Sequence, residues 1–293
     1  MSEIHKSGFV TILGKPNAGK STLLNQLLGQ KLSIITPRAQ TTRHRIFGID
    51  SGDDYQIIYS DTPGVIRPRY KLHERMMDSV GTALEDADVL VLLLSAYETH
   101  DESSLMDMAS RFSGPKLLLI NKIDISQPQE VDMRMHMATS QMTFHENFKV
   151  SALKGQGVAE VKAAILSLLP KAPPYFDKEQ VSDRPERFFV SEIIREKLFL
   201  LLYEELPYST EVEVVQFEED EEISRIHATI HVERKSQKGM IIGKGGLMLK
   251  QIGTEARRDI EVFLGQKVYL ELFVKVSEGW KDNPTYLRGF GYR

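Results

Sequence analysis

Short apolar runs recur through the first half of the chain, separated by stretches where apolar residues return every three or four positions. Phe9–Leu13, Tyr55–Asp61, Val89–Ser95, Lys116–Lys122 and Asn147–Ala152 read as strands, with helices such as Ser21–Leu28 and Val158–Leu169 between most of them. Runs that are apolar almost throughout suit parallel strands covered on both faces. The alternation predicts an open, mostly parallel α/β sheet with helices on both sides. Between Leu169 and Phe188, four prolines and several charges erase the periodicity, and the stretch reads as an interdomain linker. Beyond it the order changes to a helix at Ser191–Glu205 with Ser191 as its cap, then strands at Glu211–Phe217 and Ser224–Arg234. A short helix at Lys235–Ile242, a longer helix ending near Gly265 and a strand at Lys267–Val276 follow, an α+β pattern. The expected division is 1–170, 171–187 as linker, and 188–293.

Composition adds exclusions. With 293 residues, 41% hydrophobic and 27% charged, the chain has the makeup of a globular protein of about two domains. A net charge of -4 excludes a uniformly basic surface but not a local basic patch. There is no cysteine, so disulfides and thiolate metal sites are excluded. The start, Met1–Gly8, lacks the apolar core of a secretory signal, and the longest apolar run, Val89–Leu94, is far short of the ~20 residues that span a bilayer. A cytoplasmic protein is expected, with peripheral membrane contact left open.

Chemistry enters at the strand ends. "GKPNAGKS" (Gly14–Ser21) follows a predicted strand and opens a predicted helix, the setting in which backbone N–H groups cradle phosphate oxygens. Lys20 is placed to reach the β- and γ-phosphates, and the Ser21 hydroxyl to ligate Mg2+. "DTPG" ends the next strong strand, with Asp61 on the magnesium side and the Gly64 N–H facing a γ-phosphate. In "NKID", Asp124 matches the two donors on the guanine edge, where adenine would set an acceptor against the carboxylate. Asn121 supports the loop and the other edge of the base, while the Lys122 stem covers its plane. In "VSAL", the Ala152 N–H meets guanine O6. Motifs in this order, all at carboxyl ends of strands, point to a GTPase. The nucleotide-binding set is therefore Gly14, Lys15, Pro16, Asn17, Ala18, Gly19, Lys20, Ser21, Thr22, Asp61, Thr62, Pro63, Gly64, Asn121, Lys122, Asp124, Ser151 and Ala152. A switch segment is expected within Ala39–Ile49, with Thr42 as the magnesium contact and Thr41 in reserve. Catalysis is assigned to Lys20, Thr42, Gly64 and Asn17, and the metal to Ser21, Thr42 and Asp61. Val65 follows "DTPG", where Ras-like enzymes carry a water-orienting glutamine, so another group must serve.

A second glycine loop, "IIGKGG", has no Ser or Thr after its lysine and joins helix to helix. Gly243-Lys244-Gly245-Gly246 is the GxxG of a KH domain, where glycines let a nucleic-acid backbone approach. Between Glu233 and Arg258 seven basic residues face two acidic ones, 7 - 2 = +5. Ile242, Gly243, Lys244, Gly245, Gly246, Lys250, Arg234, Lys238 and Arg257 form the expected RNA-binding set. Ile241, Ile242, Leu249 and Ile252 read as core and groove floor from their helical spacing.

With "QTTRHRI", "SEIIREK" and "ELPYS" beside these motifs, the chain resembles the bacterial Era GTPases over almost its whole length, Phe9 to Tyr292. Ala18, where valine is usual, and Leu153 are small departures. The resemblance implies a P-loop GTPase domain followed by a type II KH domain, GTP or GDP with Mg2+, and K+ held by Asn17, which reads equally as a turn residue. It further implies binding near the 3′ end of small-subunit (16S) ribosomal RNA, action on the 30S particle in small-subunit maturation, and a monomer. A GTP-dependent switch for a protein or membrane partner, with RNA incidental, stays as the alternative. A kinase or ATPase is opposed by Asp124.

Overall fold

Seven consecutive buried side chains in Val89–Ser95 require a strand with helices on both faces, and the computed structural model has that arrangement. It describes residues 5–97, 101–220 and 222–292. By contacts the chain divides into two compact units, Met1–Pro68 with Met76–Asp183, and Arg69–Arg75 with Arg184–Arg293.

The first unit runs β1 (Lys6–Gly14), α1 (Lys20–Leu28), β2 (Ile46–Ser51), β3 (Tyr55–Asp61), α2 (Lys71–Glu85, from Met76 onward), β4 (Val89–Ser95), α3 (Ser103–Arg111), β5 (Lys116–Asn121), α4 (Pro128–Gln141), β6 (Glu146–Lys149) and α5 (Val158–Leu168). The sheet order is β2-β3-β1-β4-β5-β6, parallel except for β2 against β3. One face carries Leu23 and Leu24 of α1 with Val161 and Ile165 of α5. The other carries Val80 of α2, Leu105 of α3 and Val131 of α4. Each such side chain contributes about 1.5–3 kcal/mol when fully buried.

Three expectations change. Ile46–Ile49, taken as the end of the switch segment, is the start of antiparallel strand β2, paired from Ile46 opposite Asp61. The predicted strand at Asn147–Ala152 ends at Lys149, because Val150–Ala152 turn away to build a loop. The stretch read as linker is tied to the first unit as far as Asp183. Buried Gln56 accepts from the Tyr175 and Phe176 amides at 2.7 and 2.9 Å and donates to Phe176 O at 2.9 Å. Ile49 N donates to Val181 O, and Phe47 N to Asp183 Oδ1. Partners more than a hundred residues distant leave no local periodicity to read.

The second unit has α6 (Glu186–Leu201), β7 (Thr210–Glu218), β8 (Ile223–Val232), α7 (Lys235–Ile242), α8 (Leu247–Leu264), β9 (Lys267–Val276) and α9 (Pro284–Gly289). β8 is central, antiparallel to β7 and parallel to β9. Its alternate residues Ile226, Ala228, Ile230 and Val232 are fully buried against Ile194 and Leu198 of α6 and Ile252, Ala256 and Ile260 of α8. Helix α6 starts five residues before the expected Ser191. Pro185 takes the N-cap position, and Ser191 Oγ donates within the helix to Phe188 O. Phe189 and Val190 belong to the buried face, so the apolar stripe starts ahead of the serine. Among the described residues no helix is long and apolar enough to cross a membrane.

Candidate nucleotide and nucleic-acid sites

Glycines set the shape of the first loop. Gly19 has φ +100, and a Cβ on it would lie 2.3 Å from Asn121 Nδ2. A Cβ on Gly64 would meet the Pro16 backbone nitrogen at 2.5 Å, so "DTPG" can close onto the loop only with glycine. Val65 N donates to Gly14 O at 3.1 Å, fixing that closure. The Val65 side chain is buried with Leu13, Val80 and Leu92, so nothing at that position can orient water.

Above the start of α1 lies a cavity of about 390 Å3, within the usual range for a small-molecule site. Pro16, Asn17, Gly19–Thr22, Thr42, Gly64, Asn121, Lys122, Asp124 and Ala152 line it. At one end Ser21 Oγ donates to Asp61 Oδ2 (2.8 Å) and stands 2.9 Å from Thr42 Oγ1. Asp61 Oδ1 is buried without a hydrogen-bond partner. Burial pushes the Asp61 carboxyl up, against the charge of Lys20 and the hydroxyls of Ser21, Ser33 and Thr42. Two hydroxyls and an orphaned carboxylate oxygen converging in a dry corner fit a small hard cation such as Mg2+. Thr41, the reserve, also lines the cavity, but its hydroxyl donates to Arg38 O and meets Thr36 Oγ1. Lys20 Nζ donates to Lys15 O at 3.0 Å, and burial lowers its pKa to about 8, opposed by Asp61. A cation so poorly solvated gains much from an arriving phosphate.

At the other end Ser151 Oγ donates to Asp124 Oδ1 at 2.6 Å, setting the carboxylate's orientation. Asn121 is buried; it donates to Ala18 O (2.8 Å) and accepts from Ala152 N (2.9 Å). It thus supports the phosphate loop as expected but spends its carbonyl on the protein. The Ala152 N–H can meet guanine O6 only by sharing it with Asn121.

Several expected residues stand behind the wall. Thr62 donates its hydroxyl to Ile12 O and is fully buried, so it braces β1 and does not reach a nucleotide. Pro63, Gly14 and Ala18 do not line the cavity, and Ala18 packs in the core. Lys15 sends its amine to Ser104 Oγ. Conversely, Ile34–Arg38, Tyr97 and Ile125 line the cavity without any motif to mark them, and Gln40 and Leu153, inside quoted motifs, line it without having been assigned to the site. Ile35–Arg38 immediately precede the expected switch segment, and that place is their sequence signal. Asn17 sits at φ +64, which asparagine tolerates better than most residues, with its exposed side chain unbonded on the cavity wall.

In the second unit Gly243, Gly245 and Gly246 all have positive φ, 71, 61 and 79. A Cβ on Gly245 or Gly246 would meet nothing within 4 Å, so the loop's outer side is open to an approaching backbone. Lys244 and Lys250 are exposed, Lys238 half-buried. Arg234 is exposed at the start of α7, its N–H held by Gln237 Oε1. Ile241 and Ile252 are fully buried, while Ile242 and Leu249 pack partly buried against the same core. Arg257 stands apart from the loop along α8. It is half-buried, donates to Glu261 Oε1 at 3.1 Å, and lies about 15 Å along α8 from Leu247.

Comparison with known proteins agrees with this geometry. A family model described as "50S ribosome-binding GTPase" matches residues 9–122, and one described as "KH domain" matches 205–281. GTPase Era of Staphylococcus epidermidis is 44% identical over 291 residues, 98% of this chain and 97% of the relative. A crystal structure of Era with MgGDPNP and nucleotides 1506–1542 of 16S ribosomal RNA superposes with a TM-score of 0.92 at 38% identity, covering 98% and 99% of the two chains. A variant of Aquifex aeolicus Era bound to GDP.AlF4- gives 0.93 at 39%, with the same coverage.

Proposed function

Because this chain belongs to the Era GTPases, we propose that it is a GTP-hydrolysing switch that uses its KH unit to bind small-subunit (16S) ribosomal RNA near the 3′ end during assembly of the 30S particle. The observation that carries the first half is one cavity with Lys20, Ser21 and Thr42 at one end, backed by the buried Asp61 carboxylate, and Asp124 at the other. The similarity to Era held with a 16S fragment supports the second.

The α1 N-terminus and the loop amides meet the phosphates, and the Lys20 ammonium neutralises charge between β and γ positions. Bound Mg2+, with Ser21 and Thr42 as oxygen donors and Asp61 behind them, offsets the charge that develops on the phosphate oxygens. Gly64, pressed against Pro16, brings its N–H to the γ side. Asp124 selects guanine, because an adenine edge leaves the carboxylate facing an acceptor. Since Val65 is buried in the core, water must be placed and charge met by another group, and Asn17, unbonded on the cavity wall, suits a monovalent cation such as K+.

The expected setting is the cytosol, with any membrane contact peripheral. Crosslinking the full chain to whole-cell RNA with GDP or a non-hydrolysable GTP analogue tests the proposal. Sites should cluster near the 16S 3′ end; an even spread over cellular RNA would reject it. A Lys244→Asp chain that hydrolyses GTP but loses crosslinks would separate this reading from a switch for protein or membrane partners.

A further inference from the structure

The nucleotide cavity has one wall residue whose contacts form a connected path and which none of its motifs specifies. Tyr97 stands two residues past β4, 45% exposed, and lines the cavity together with Lys122 and Asp124. The backbone before it is fixed, since Ala96 N donates to Asn121 O at 2.9 Å. Arg134 of α4 is buried, donates from Nε to Ser95 O at 3.2 Å and pairs with Glu102. Burying a guanidinium is unfavourable unless its charge and N–H groups are met, and here residues on either side of Tyr97 meet them. The buried arginine thereby holds the end of β4, two residues before Tyr97.

What Tyr97 holds is Lys122. That residue sits in left-handed backbone at φ +68, its Nζ donating to Tyr97 Oη at 3.2 Å and lying 4.9 Å from the ring centroid. A free lysine chain has many rotamers, and ordering it against a ligand subtracts from affinity. With its ammonium held at the rim by the phenol, that ordering is done before the nucleotide arrives.

We propose that Tyr97 is a nucleotide-positioning residue that acts through Lys122, fixing the lysine stem as a preformed wall for the guanine base and so slowing nucleotide release. The role rests on the reading of this cavity as a guanine site.

Stopped-flow release of N-methylanthraniloyl-GDP from the full chain tests it. Tyr97→Ala should speed release about five- to tenfold, the size expected from freeing part of one lysine side chain. Tyr97→Phe should fall between, because the ring stays and the hydroxyl is lost; it keeps the side-chain volume, so it reads the hydroxyl–lysine link even if alanine loosens the loop. The loss should fall on release and KM and not on the single-turnover rate of GTP already bound. Lys122→Met should speed release too, and the double variant should release no faster than Lys122→Met alone. Release from Tyr97→Ala at within about twofold of the parent rate, or effects of Tyr97→Ala and Lys122→Met that multiply, would overturn the role. A parent chain that bound no guanine nucleotide would instead overturn the reading of the cavity itself.

Discussion

The side-chain amide of Asn121 donates to the carbonyl of Ala18 at 2.8 Å, joining the end of β5 to the phosphate loop across 103 residues. The same side chain accepts from Ala152 N, so one buried residue ties together the loops for phosphate and for base. Asn121→Ala would leave a buried carbonyl and a buried N–H unpaired, each costing about 1–3 kcal/mol. Stability of the chain in urea should therefore drop by about 2–6 kcal/mol, with nucleotide affinity falling alongside. A midpoint equal to that of the parent would show the tie to be dispensable.

Lys20 gives nucleotide binding a pH dependence. Burial lowers its pKa to about 8, and a bound phosphate, being anionic, must raise it again. Below pH 8 the ammonium is already charged, and affinity is full. Above it the empty protein has lost the proton, binding must take one up, and affinity falls by about tenfold per further pH unit. The same shift makes the nucleotide-free protein more stable as pH rises from 8, because the unfolded chain then holds more protons. Calorimetry of GDP binding in buffers of different ionisation heat should show uptake near zero at about pH 6.5 and approaching one proton at about pH 9. Equal uptake at both would contradict the assignment.

The two threonines of the switch segment separate by geometry. Thr42 lies beside Ser21, whereas Thr41 is spent on Arg38 O. Thr42→Ala should weaken magnesium-dependent binding of a GTP analogue and slow hydrolysis by on the order of ten- to a hundredfold, with smaller effects on GDP. Thr41→Ala should leave the magnesium titration in place. Hydrolysis measured against magnesium concentration in both variants decides; a reversed order would move the metal contact to Thr41.

For the second loop, Lys244→Asp should abolish most binding to a single-stranded RNA of the 16S 3′ end, since it puts a carboxylate where a phosphate must come. Lys244→Ala should lower the slope of log affinity against log salt by about 0.7, one contact fewer on a single strand. Arg257→Ala should change affinity by no more than about twofold, because its charge is already met by Glu261. Filter binding across a salt series measures all three, and a large loss with Arg257→Ala would restore it to the interface.

Potassium dependence tests Asn17. Faster turnover in K+ than in Na+, lost in Asn17→Ala, is the expected outcome; equal rates in both salts would leave Asn17 with only its left-handed turn to explain it.

The sequence alone was enough for much that depends on neighbours in the chain, though not for the start of α6 or the end of β6. Strand–loop–helix punctuation located the phosphate loop, strand ends located Asp61 and Asp124, and helical spacing placed Ile241 and Ile252 in the second core. Glycine positions could be read because backbone conformation is set locally. Tertiary structure decided what rests on distant partners. It made Thr62 a brace for Ile12, turned the expected linker into a strap held by Gln56, and paired Arg257 with Glu261. It also set Thr42 beside Ser21 and turned Thr41 onto Arg38 O, identical side chains one residue apart, and brought Arg134 to Ser95 O, two residues before Tyr97. A side chain's type and its immediate neighbours set which hydrogen bonds it can make. Only the packed sheet and helices settle which of them it makes, because burial removes water as the alternative partner.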